Sequence, residues 1–170
     1  ATNGLYLESC VNVSITHSTF LGFRGGSGGA IRTGGNGCDD ILLLENFFTQ
    51  NHSHIYHPAG GSSTVISNWV IIRNQFSGVV GGGSRNAALD FDGDVQNLTM
   101  IGNNINFNNI PNEVFFGRIV NGLNFTGNWI NSNQVATNAI RFGGTSALAY
   151  LGISIQGNFI YHSAAGTTGR

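Results

Sequence analysis

The stretch Trp69–Phe76, WVIIRNQF, decides the fold. Large apolar residues hold its first, third and eighth positions, and the polar pair Arg73–Asn74 interrupts the run. The same pattern returns as VSITHSTF at Val13–Phe20, ILLLENFF at Ile41–Phe48, LTMIGNNI at Leu98–Ile105, LNFTGNWI at Leu123–Ile130 and ISIQGNFI at Ile153–Ile160. The sixth position is Ser18 in the first copy and Asn in the other five. From Ser18 through Asn46, Asn74, Asn103, Asn128 and Asn158 the steps are 28, 28, 29, 25 and 30 residues. A period in this range is the signature of a solenoid.

A weaker pattern precedes each copy: GLYL at Gly4–Leu7, AIRT at Ala30–Thr33, HIYH at His54–His57, ALDF at Ala88–Phe91, VFFG at Val114–Gly117 and AIRF at Ala139–Phe142. Its alternation has period two, so Leu5 and Leu7 face one way and Tyr6 the other. This is strand A. The core copy supplies strand B (Trp69–Ile72), a corner at Arg73–Asn74 where Asn or Gly tolerates left-handed backbone, and the start of strand C (Gln75–Phe76). Gly-rich or Asn-rich loops such as Gly22–Gly29, Gly78–Asn86 and Asn106–Asn112 lead back to the next strand A.

Three short strands per period, with no helix between them, can pair only with their own copies one period away. Such pairs are parallel. The reading is an all-β chain: a right-handed parallel β-helix of about six rungs, handed by the rule for parallel crossovers. Three inward columns follow, headed by Val13, Ile15 and Phe20, with rungs about 4.8 Å apart. The Asn residues would stack as a ladder that satisfies a buried corner. An antiparallel sandwich would instead show irregular hairpin spacing and no shared corner residue.

Composition narrows the function. The chain has 170 residues, a net charge of −1 and no Lys, so no field recruits nucleic acid. Charged residues make up 9%, against roughly 25% in ordinary domains. The surface is therefore Asn, Ser, Thr and Gly. No apolar run reaches membrane-spanning length. With no charged-then-apolar leader and no amphipathic capping helix, the expectation is one domain over residues 1–170, a module or fragment of a longer chain.

The repeat φxφxxNxφ, as in VIIRNQF and SIQGNFI, resembles the parallel β-helix repeats of the pectate-lyase-like superfamily. That superfamily includes pectate lyases, polygalacturonases, alginate epimerases and phage tailspike proteins. The resemblance implies an extracellular, cell-surface or virion protein that binds or cleaves a polysaccharide. It is specific for architecture and weak for activity, because one fold hosts many chemistries.

The acidic cluster is Asp90-Phe91-Asp92-Gly93-Asp94. With Leu89 and Phe91 inward, Asp90 and Asp92 would project from the outer face of strand A, about 6.5–7 Å apart. That is near the separation of the two acids in inverting glycosidases. With Asp94 added, the same cluster could hold Ca²⁺ through oxygen ligands. Calcium-assisted lyases of the resembled superfamily place carboxylates comparably. Ordinary Asp-Gly-Asp turn chemistry is the competing explanation.

The outer face of strand A carries the column Tyr6, Arg32, Tyr56, Asp90, Phe115 and Arg141, with His54 and His57 flanking Tyr56. Arg32, Tyr56, His57 and Arg141 are the candidate substrate-binding residues, since sugars stack on rings and Arg bonds acidic groups. In the lyases an Arg often assists proton abstraction; Arg32 or Arg141 would be the candidates, but no lyase motif surrounds either. Solvated polar positions on a sheet are the plain alternative.

Cys10 and Cys38 lie 28 residues apart, the step from Ser18 to Asn46, which places them in adjacent rungs near the turn between strands A and B. One rung suits a disulfide; the alternative is two buried thiols. His52, His54 and His57 lack further ligands, which argues against zinc. The alternative function is a non-catalytic solenoid, a stalk or fibre subunit. Uncapped terminal rungs would then assemble end to end or as a trimer.

Overall fold

The apolar columns resolve into three parallel sheets in the computed structural model, which describes residues 3–24, 29–59, 65–79, 87–106, 111–132, 138–143 and 150–162. Among these residues every element is a strand or a turn. The first sheet stacks Leu5–Leu7, Ile31–Thr33, Ile55–His57, Ala87–Phe91, Asn112–Phe116 and Asn138–Phe142, in chain order. The second stacks Cys10–Thr16, Cys38–Leu44, Val65–Ser67 with Val70–Ile72, Asp94–Ile101, Val120–Thr126 and Tyr150–Gln156. The third stacks Thr19–Leu21, Phe47–Thr49, Gln75–Ser77, Asn104–Asn106, Trp129–Ser132 and Phe159–His162. Every pairing is parallel, between copies one period apart, as a β-solenoid requires.

The registers reproduce the inward columns. Val13 pairs with Ile41 and Ile15 with Leu43; farther along, Leu98–Leu123–Ile153 and Met100–Phe125–Ile155 align. Phe20, Phe48, Phe76, Ile105, Ile130 and Ile160 form the third column. Within it the rings of Phe20 and Phe48 stack at 4.7 Å, and those of Phe48 and Phe76 at 4.8 Å. Trp69 is wholly buried and its indole N–H donates to the Cys38 carbonyl at 2.9 Å. Burying each such ring contributes about 1.5–3 kcal/mol, so the columns supply most of the stabilisation.

The Asn ladder forms, and each amide does two things. Oδ1 of Asn46 accepts the backbone N–H of Ser18 at 2.9 Å, while its Nδ2 donates to the Ile15 carbonyl at 2.8 Å. Both partners belong to the preceding rung, one on each side of the corner. Asn74, Asn103, Asn128 and Asn158 repeat the arrangement. The left-handed residue is the one before the Asn rather than the Asn itself: His17, Glu45, Arg73, Gly102, Gly127 and Gly157 have φ between 50° and 63°.

The second sheet carries a bend within each strand. A column of left-handed residues, Asn12, Asp40, Asn68, Asn97, Gly122 and Gly152, bends every copy in mid-strand. At Asn68 the bend splits the strand in two. Asn and Asp visit this conformation most readily among residues with a side chain. Their amides also link outside the coil, Asn68 to Asp40 at 3.0 Å and Asn97 to Asn68 at 3.1 Å.

Candidate functional site

Sheet register brings the outer column of the first sheet together: Tyr6, Arg32, Tyr56, Asp90, Phe115 and Arg141 are successive partners. The guanidinium carbon of Arg32 lies 6.0 Å from the Tyr6 ring centroid and 5.5 Å from that of Tyr56, a cation held between two rings. Arg141 repeats the contact once, 5.7 Å over Phe115. These are cation–π distances. Tyr6 is 49% exposed and Arg141 is also exposed, whereas Tyr56, Phe115 and Asp90 are buried. The column is thus open at its two ends and covered in the middle.

That burial changes the reading of the acidic cluster. Asp90 is 0% exposed, so it does not offer a carboxyl to solvent or to a polymer lying on the face. The strand ends at Phe91, which takes Asp92 off the strand and out of the alternation that would have set it beside Asp90. The backbone N–H of Asp92 instead donates to the His57 carbonyl at 2.8 Å, forming the corner into the second sheet. Asp94 begins the next strand, and its Oδ1 meets Arg118 Nε at 3.0 Å. An inverting pair needs both carboxyls at the substrate with water between them, so that role would require Asp90 to be uncovered.

A hard cation would need these aspartates to bring their oxygens together. Calcium takes six to eight converging oxygens. Here one carboxylate is sealed in the sheet, one turns at a corner and one is committed to Arg118. Among the described residues no three His, Cys, Asp or Glu side chains converge.

His57 lies in the inward column with Leu7, Thr33 and Phe91, away from the face of Arg32 and Tyr56. Thr33 Oγ1 is 2.8 Å from its Nδ1, and its Nε2 is 3.1 Å from the Asp94 carbonyl. A carbonyl only accepts, so Nε2 carries a proton, and in the neutral ring Nδ1 then accepts from the Thr33 hydroxyl. The ring explains the motif's glycine: a Cβ on Gly93 would fall 2.1 Å from His57 Nε2. His54 is also buried, its ring 6.2 Å from Phe48 and 5.8 Å from Phe76.

Cys10 and Cys38 are register partners at the start of second-sheet strands, and both are free thiols. Burial pushes the Cys38 thiol up to about 12, and a side-chain hydrogen bond with Cys10 adds to the rise. The pair therefore has the stacked placement that its spacing implies.

Sequence reasoning found the outer column but missed two partners, Arg118 for Asp94 and Thr33 for His57. No periodic signal marks either one. No protein-family model, curated protein or solved structure matches this chain.

Proposed function

We propose that this solenoid binds an acidic polysaccharide along the outer face of its first sheet and does not cleave it, as part of an extracellular, cell-surface or virion protein. The observation that carries the reading is Arg32 between Tyr6 and Tyr56. Guanidinium donors lie in the plane of the group and match a carboxylate's two oxygens, so an Arg beside two rings supplies both the charge and the planar donor set that a uronate takes. Tyr6 adds an exposed ring one rung away. Rungs about 4.8 Å apart suit an extended polymer lying along the axis. The burial of Asp90 supports binding over cleavage.

A glycan array followed by product analysis tests this. Uronate-containing polymers should be retained intact, and Arg32→Ala should weaken retention about tenfold or more. Equal retention of neutral and acidic glycans by this face, or the appearance of shortened products, would overturn it.

A second reading, self-assembly as a stalk or fibre, has its own support. Ile153, Ile155 and Ile160 continue columns whose inner members Leu123, Phe125 and Ile130 are at most 1% exposed, yet they are themselves 37%, 43% and 51% exposed. An exposed apolar rung with an open strand edge can be covered by a further rung, of this chain or of a second copy, end to end or as a trimer. Sedimentation velocity over a concentration series separates the two readings.

A further inference from the structure

The outer face of the third sheet carries a different surface. Inward residues there alternate with outward ones, and one outward column runs Thr19, Phe47, Gln75, Asn104, Trp129 and Phe159. Trp129 is 50% and Phe159 51% exposed, with ring centroids 4.3 Å apart. Tyr161, in the neighbouring outward column beside Asn131, is 50% exposed. The strip thus reads amide, amide, indole, phenyl from Gln75 to Phe159, with a phenol alongside. Asn104 Oδ1 accepts from Asn106 Nδ2 at 2.8 Å, so the adjoining amides are already oriented.

We propose that Trp129, Phe159 and Tyr161, with Asn104 and Gln75, form a second carbohydrate site that takes neutral sugars. The outward positions of this sheet's described strands hold no charged side chain, in contrast to the Arg32 face. A uronate would find no counter-charge here. A neutral pyranose has an apolar C–H face for the rings and hydroxyls for the amides. Cross-strand stacking alone would account for the contact between Trp129 and Phe159, but not for leaving both rings half open to water beside Tyr161. The three rings alone are too small for a stable protein partner. Three half-exposed rings present about 300 Å², against the about 800 Å² per partner of a standard interface. The proposal is independent of the Arg32 site.

The chain has two tryptophans, Trp69 and Trp129, and Trp69 is wholly buried. Acrylamide quenching of tryptophan emission therefore reports on Trp129. The probes are soluble mixed-linkage β-glucan, xyloglucan, galactomannan and dextran, with polygalacturonate as the acidic arm. At least one neutral polymer should reduce quenching at least twofold and retard the protein in affinity electrophoresis. Trp129→Ala should weaken that retardation tenfold or more, Trp129→Phe should retain most of it, and Ser14→Ala on the second sheet should match wild type. Circular dichroism checks that each variant is folded, and Phe159→Ala serves if Trp129→Ala is not. The proposal is overturned if no neutral polymer protects Trp129, or if Trp129→Ala and Phe159→Ala bind neutral polymer like wild type. It is also overturned if quenching falls with protein concentration alone, which would make the strip a contact between copies. Polygalacturonate retention, read in the same gels, reports on the Arg32 face separately.

Discussion

Asn74 is joined to Asn103 twice through one oxygen. The backbone N–H of Asn74 donates to Asn103 Oδ1 at 2.9 Å and its Nδ2 donates to the same atom at 3.2 Å. The corner is buried, so nothing else replaces these bonds cheaply. In Asn74→Ala, the Asn46 N–H and the Leu43 carbonyl would lose their partners. Each orphaned buried group costs about 1–3 kcal/mol, so the expected loss is roughly 3–5 kcal/mol by chemical denaturation. Asn158→Ala, at a half-exposed rung, should cost clearly less. Equal costs would mean that the ladder is not stabilised by burial.

Gly93→Ala should destabilise the chain by about 1–3 kcal/mol through overpacking against the His57 ring. In a double-mutant cycle with His57→Ala the two losses should be less than additive. Strict additivity would show that His57 is not what excludes the side chain.

Mild oxidation with diamide should join Cys10 to Cys38 within one molecule, lowering the mass by two hydrogens without dimer. Closing a 28-residue span should stabilise by roughly 3–4 kcal/mol. Recovery of two alkylatable thiols after oxidation would show that the sulfurs are held apart.

The reduced protein should lose stability at high pH. Folded Cys38 keeps its proton to about 12, whereas an ordinary thiol ionises at 9.0. The folded state therefore holds the extra proton, and the contribution is full below pH 9.0 and lost as pH rises to about 12. Denaturation midpoints should fall across that window and fall less in Cys38→Ala.

Ile155→Asp places a charge in an exposed end column. It should lower any concentration-dependent sedimentation while leaving polysaccharide retention unchanged. Unchanged association would move the contact away from this end.

Most of the fold was legible because a solenoid writes each structural position many times. Six copies of one column identify Val13, Ile15 and Phe20 more firmly than any single strand pattern could. The ladder and the pairing of Tyr6 with Arg32 and Tyr56 follow from the same repetition. The mid-strand bend at Asn12, Asp40 and Gly122 was missed because period two records which way a side chain points and does not encode φ. His57 falls inward by the same alternation that places Phe91 inward, but the burial of Asp90 was missed for another reason. Whether an outward residue is wet depends on what lies over the sheet, and that coverage does not repeat.

The ladder has one further consequence. Its links hold although the steps between successive Asn residues range from 25 to 30. Length differences are therefore absorbed away from the spine, and the cross-section at the Asn corner stays constant. Such a molecule accepts grafts: an epitope or recognition loop spliced between strands would shift neighbouring rungs no more than nature's own five-residue variation already does.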